Sequence, residues 1–132
     1  MYLQLAVVCD EARQVEHGKL DISGIFNDLS APGFPAKHNM VLVMVIQWGH
    51  KDAGGYDFQV DLVGPGERPS MTVQGQTDVD HREPPRPPPR TQIILPLKEV
   101  IFPKKGLYRF HIQVKGRSLD GPTLYLVESE KQ

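Results

Sequence analysis

One cysteine among 132 residues leaves no partner for an intrachain disulfide. The stapling that holds many small secreted domains together is therefore absent, and the fold must rest on its core. Long apolar runs are missing as well. The longest, Met40 to Ile46, is far short of the roughly 20 residues that cross a bilayer as a helix, which predicts no membrane partner. An excess of one charge is also lacking. Fifteen Lys and Arg face sixteen Asp and Glu, a net charge of −1. No global field then draws in nucleic acid or anionic lipid, and either role would need a local patch. Helical periodicity is scarce: no window longer than ten residues keeps apolar positions at i, i+3, i+4 and i+7. Met1 to Val8 is apolar, but it has no basic leader and runs straight into Cys9-Asp10-Glu11. That is too short for a signal peptide, and the expectation is a cytoplasmic protein.

What the chain does have is turns and alternation. Twelve Gly and twelve Pro exceed the share in an average chain. Tyr56-Asp57-Phe58-Gln59-Val60-Asp61-Leu62 alternates apolar and polar residues with period two, and Leu107 to Lys115 does the same. Both read as half-buried strands. Met40 to Ile46 is apolar at every position and rich in β-branched residues, so it reads as a central strand covered on both faces. Further strands are predicted at Tyr2 to Cys9, Leu20 to Phe26, Met71 to Gly75, Gln92 to Leu97 and Thr123 to Val127, giving about eight. Ala12 to Glu16 and Leu97 to Ile101 are each compatible with one helical turn. Short strands joined by turn-rich loops predict an all-β chain, a two-sheet antiparallel β-sandwich formed as one domain over residues 1–132. Gly54-Gly55 and Lys115-Gly116 supply turn positions, and Gly18-Lys19 is suited to join the first two strands.

Five of the ten residues in His81 to Arg90 are proline. Pro cannot donate to a strand ladder, so residues 81–90 form a stiff loop. Arg86 and Arg90 flank a Pro-x-x-Pro pattern of the kind that aromatic-lined grooves grip, which makes them candidates for partner binding. The basic residues between 82 and 105 lack interleaved aromatics other than Phe102, so nucleic acid is an unlikely partner. The five histidines stand no closer than twelve residues apart, unlike the paired spacing of metal sites. Cys9 is flanked by Asp10 and Glu11, whose carboxylates disfavour a thiolate, so it reads as a buried structural residue. No phosphate loop, nucleophile elbow or metalloprotease helix occurs. No catalytic residue, cofactor or metal is expected.

Leu3-Gln4-Leu5 with Cys9-Asp10-Glu11-Ala12-Arg13, then Gly18-Lys19-Leu20-Asp21-Ile22, Gly24-Ile25-Phe26 and Phe34-Pro35-Ala36, resembles an uncharacterised family of small bacterial proteins. Phe102-Pro103 followed by Gly106-Leu107-Tyr108-Arg109-Phe110 resembles the second half of that family. The resemblance implies an immunoglobulin-like sandwich and carries over no catalytic residue. The expected function is a non-catalytic protein-binding or structural module, with self-association open to it. Asp10, Glu11 and Arg13 at one polar end, and Trp48 beyond the apolar run, complete the candidate contact residues. Two alternatives stand beside it. One is a small enzyme with a loop-assembled site drawn from Asp10, Glu11, His17 and His38. The other is recognition of a peptide or nucleic acid through the basic 82–105 region or a sheet edge, an edge that would have to be unpaired and uncharged.

Overall fold

The computed structural model describes residues 1–66 and 68–129. Among them are nine strands and no α-helix. The strands are β1 (Tyr2–Val15), β2 (Lys19–Phe26), β3 (Asp28–Ala31), β4 (Ala36–Gln47), β5 (Gly54–Val63), β6 (Pro69–Val79), β7 (Arg90–Phe102), β8 (Gly106–Val114) and β9 (Arg117–Glu128). They form a four-stranded sheet in the order β2-β1-β4-β7 and a five-stranded sheet in the order β3-β9-β8-β5-β6.

The expected sandwich is present, with three corrections. A ninth strand, β3, is only four residues long and escaped the alternation signal. It pairs parallel with β9, so the sandwich is not wholly antiparallel. The helical turns expected at Ala12 to Glu16 and Leu97 to Ile101 are strand instead. Cross-strand partners at Ile22, Leu20 and Lys37 hold β1 and β7 extended, and tertiary pairing overrides a weak local pattern. The one helical turn is a 3₁₀ turn at Glu16–Gly18.

The connectivity is immunoglobulin-like. Strands β1, β4 and β7 take the A, B and E places in one sheet, while β9, β8, β5 and β6 take G, F, C and C′ in the other. Tyr108 supports this assignment. Near the start of β8, its hydroxyl donates to the Lys104 carbonyl at 2.7 Å and accepts from the Lys104 amide at 3.2 Å, which is the tyrosine corner of the E–F turn. Two residues on, where antibody domains carry a disulfide cysteine, stands Phe110, 1% exposed. Apolar packing replaces the bridge.

Alternation decides the core. Met40, Leu42, Met44 and Ile46 of β4 face Val60 and Leu62 of β5 and Phe110, Ile112 and Val114 of β8 in one buried cluster. The opposite face of β4 is covered too, and Val43 is fully buried although it lies outside that cluster. The β1–β2 ribbon explains how. Leu5 pairs with Val45, which pairs with Gln92. Gln14 lies nine residues farther along β1, about 30 Å if the strand ran straight. Yet Gln14 Nε2 donates to Gln92 Oε1 at 3.0 Å, and Gln92 Nε2 donates to the Gly18 carbonyl at 2.7 Å. The ribbon therefore bends back across the outer face of its own sheet. The bend falls at Asp10 and Gly24. Gly24 has φ 73°, a left-handed conformation that favours glycine, and a Cβ there would also run into the Asp10 carboxyl group. The half-buried Ala12, Leu20 and Ile22 travel with the folded-back arm.

The β8–β9 hairpin closes through Lys115 (φ 53°) and Gly116 (φ 69°). Two successive positive φ values define a type I′ turn, whose twist matches that of the strands it joins.

Candidate functional site

The proposed contact residues fall at separate places. Asp10, Glu11 and Arg13 do come together, lining a groove of about 650 Å³ in the crook of the bent ribbon with Asp21, Ser23 and Val41. Arg13 is satisfied there by Asp21 at 3.2 Å, but both side chains are mostly exposed, so the pair contributes little. His17 sits at the exposed hairpin tip. His38 starts β4 with its ring centroid 6.0 Å from that of Phe102. Neither lines the groove, so the acidic and histidine residues of the enzyme reading are not assembled. The described residues hold no group of three or more His, Cys, Asp or Glu placed to share a metal ion. Cys9 is buried and donates to the Val41 carbonyl. Burial foremost, and then the Asp10 carboxylate, push its thiol above the ordinary value, which is the opposite of an activated nucleophile.

Trp48 was expected at a contact surface, and this is corrected. It is 2% exposed, stacks on Tyr56 with ring centroids 4.8 Å apart, and donates from Nε1 to Thr91 Oγ1 at 2.7 Å. Lys115 Nζ lies over the Tyr56 ring, 5.8 Å from its centroid, and pairs with Asp52, whose second oxygen accepts from the Gly49 amide. The Lys115 ammonium holds the Asp52 carboxyl below its ordinary value, and Asp52 raises Lys115 in turn. These contacts bind the 48–53 loop to the β8–β9 turn. Their role is to close one end of the sandwich.

The proline-rich segment is anchored rather than displayed. The Arg86 amide donates to the Glu83 carbonyl at 3.0 Å, closing a turn, and the Trp48 amide donates to the Pro89 carbonyl at 2.9 Å. His50 Nε2 bonds the Arg86 carbonyl, and Pro89 is buried. The segment is thus not a free polyproline helix. The Arg86 and Arg90 side chains are exposed, with Arg90 reaching Gln4 Oε1 at 3.3 Å. Arg90 opens β7 and Lys104 lies just past its other end, so the 13-residue strand, about 40 Å long if straight, stands between them. The basic 82–105 region therefore does not form one patch.

The sheet edges differ sharply from one another. Three are blunted in the usual ways. Strand β2 carries Lys19, Asp21 and the Gly24 bend, β3 has four residues, and β7 carries Pro96, Lys98 and Glu99, the last at φ 53°. The fourth edge, β6, has no charged side chain from Pro69 through Thr77. It ends the five-stranded sheet, and among the described residues its backbone bonds only to β5. Beyond one irregularity at Leu62/Val63 its register with β5 is continuous from Met71 to Val79.

Beside that edge, a groove of about 740 Å³ runs over the outer face of the sheet, lined by Gln74, Gly75 and Gln76 of β6 and by Gln59, Gln113 and Ser118. Gln74, Gln59 and Gln113 stand in one row across three strands. Gln74 Nε2 donates to Gln59 Oε1 at 3.0 Å, and Gln59 Nε2 to Asp61 Oδ2 at 3.0 Å. At Gly75 the absent side chain leaves room for the Phe58 ring. These β6 residues were not among the sequence-level candidates. The available signal was negative, an uncharged stretch at the end of a sheet, and it acquires meaning only once β6 is known to be an edge.

No helix among the described residues is long and apolar enough to cross a membrane. No curated protein matches the chain. No solved structure matches it either. A family model described as a family of unknown function, DUF6941, matches residues 4–127, as the resemblance led one to expect, and the chain belongs to that family.

Proposed function

We propose that this protein is a non-catalytic binding module that takes an extended polypeptide segment as an added strand along β6. The observation that carries the reading is the β6 edge, uncharged from Pro69 through Thr77 and, among the described residues, unpaired on its outer side, where the three other edges are protected. An unpaired strand offers a row of main-chain donors and acceptors, which supply affinity, while alternating side chains on the two faces supply selectivity. On the outer face the partner meets Thr72, Gln74 and Gln76, which favour hydroxyl and amide side chains. On the inner face it meets Met71 and Val73, which pack against the core and favour β-branched apolar residues. The preferred segment alternates Thr or Gln with Val. A cytoplasmic setting agrees with the single, buried thiol.

The test is titration of ¹⁵N-labelled protein with a ten-residue peptide of alternating Thr and Val ended by Lys, followed by amide hydrogen exchange. Slowed exchange confined to β6 amides is expected, and Gln76→Lys abolishes it by placing a charge on the edge. With the chain held at a concentration where it is monomeric, unchanged β6 exchange at saturating peptide, or protection centred on β2 or β7, refutes the reading.

A further inference from the structure

We infer that the segment taken up at β6 is the β6 strand of a second copy of this chain, paired antiparallel about a two-fold axis at Gln74 to make one continuous ten-stranded sheet. This rests on the proposed strand-binding role of β6 and names its occupant. A two-fold axis perpendicular to the sheet at Gln74 sets that residue against its symmetry mate, pairs the residues on either side of it in antiparallel order, and keeps outer face beside outer face. Such pairing suits a strand whose side chains tolerate their own kind, and it is opposed wherever like charges meet directly across strands.

Strand β6 meets that condition. From Ser70 to Gln76 its outward side chains are hydroxyls and amides, and an amide both donates and accepts, so Gln against Gln is complementary. The molecule already contains this pairing one strand away, in the bond from Gln74 Nε2 to Gln59 Oε1 at 3.0 Å. One Nε2 hydrogen of Gln74 serves that bond, and Gln74 Oε1 accepts from no group among the described residues. Placing the axis at Gln74 extends the row Gln113–Gln59–Gln74 into the same row of the second copy. The strand is also polarised along its length. Arg68 stands at its head, and Asp78 and Asp80 at and just past its tail. Antiparallel pairing brings each Arg68 to the acidic tail of the other copy, whereas parallel pairing would bring like ends together. Glu67 lies outside the described residues.

The experiment is sedimentation equilibrium of the full chain and of two charge variants, Gln74→Lys and Gln74→Glu, with thermal melts confirming that each variant folds. A residue on the axis meets its own copy, so either variant sets two like charges face to face. The dimer dissociation constant is expected to rise about tenfold or more for each variant alone, and an equimolar mixture of the two is expected to recover a heterodimer. A wild-type chain that stays monomeric at its highest soluble concentration overturns the inference, as does a mixture that associates no better than its components. If that monomer still shows β6 amides protected by the Thr/Val peptide, only the second copy is refuted and the strand-binding reading stands. If β6 is protected by neither, both fail.

Discussion

Replacing Tyr108 with Phe isolates the tyrosine corner, because the ring stays and only the hydroxyl leaves. In the native protein that hydroxyl makes two hydrogen bonds, both to the backbone of Lys104, at 2.7 Å and 3.2 Å. The ring is 1% exposed and packs edge-on against Phe102 with centroids 5.0 Å apart. Losing one net hydrogen bond costs about 0.5–1.5 kcal/mol, and each buried group left unpaired adds to this. Lys104 itself is exposed, so water can recover part of the loss, which gives an expected destabilisation of about 1.5 kcal/mol. For a chain of this size that lowers the melting temperature by about 5 °C. Urea unfolding followed by tryptophan fluorescence reads it as a lower midpoint with an unchanged slope. Tyr108→Ala also opens a cavity and should cost about 3–5 kcal/mol. Gly64 supplies an internal control, since a Cβ there would strike the Tyr108 ring. Gly64→Ala should destabilise the wild-type chain and do markedly less harm in a Tyr108→Ala background. A Tyr108→Phe change below about 0.3 kcal/mol would refute the hydrogen-bonded corner as a stabilising element, and additive costs in the double variant would refute the packing.

The Asp52–Lys115 pair predicts two pH limbs. Asp52 is held below its ordinary 3.8, so its contribution is full above that value and is lost as pH falls through the lower, folded value. Lys115 is held above 10.5, so its contribution is full below that value and is lost as pH rises through the higher, folded one. The stability difference between wild type and Lys115→Met should be flat across neutral pH and shrink below about pH 4 and above about pH 10.5. A difference that instead changes across neutral pH would assign the effect to other groups. Gly24→Ala forces a Cβ against Asp10 in a left-handed conformation, at a cost of about 1–2 kcal/mol or more. Hydrogen exchange should quicken first in the β1–β2 arm, and Gln92→Ala should loosen the same arm by releasing its tip; uniform acceleration through β4 and β8 would contradict a separable arm. Cys9 should react with a thiol reagent only as fast as the protein opens, so rapid labelling of the native state would disprove its burial.

The fold class was legible in the residues alone. Two clear period-two segments and one run apolar on both faces are enough to specify strands and a two-layer core, because a pleated strand exposes alternate residues to opposite sides. The residues also located the turns at Gly18 and Lys115-Gly116 and marked Cys9 as structural, since these depend on local chemistry, whereas Gly54-Gly55, read as a turn, opens strand β5. Tertiary structure alone decided the rest. The ninth strand is too short for a periodic signal and exists because β9 offers it a partner. The fold-back of the β1–β2 arm follows from one glycine corner and a bond spanning 78 residues. Trp48 and Pro89, prominent in the sequence, are consumed by the core and an anchored loop. The candidate site was least legible of all. Nothing in Ser70 to Thr77 differs locally from any polar strand, and being an edge is a property of strand order, which pairing over long sequence separations sets and local sequence does not encode.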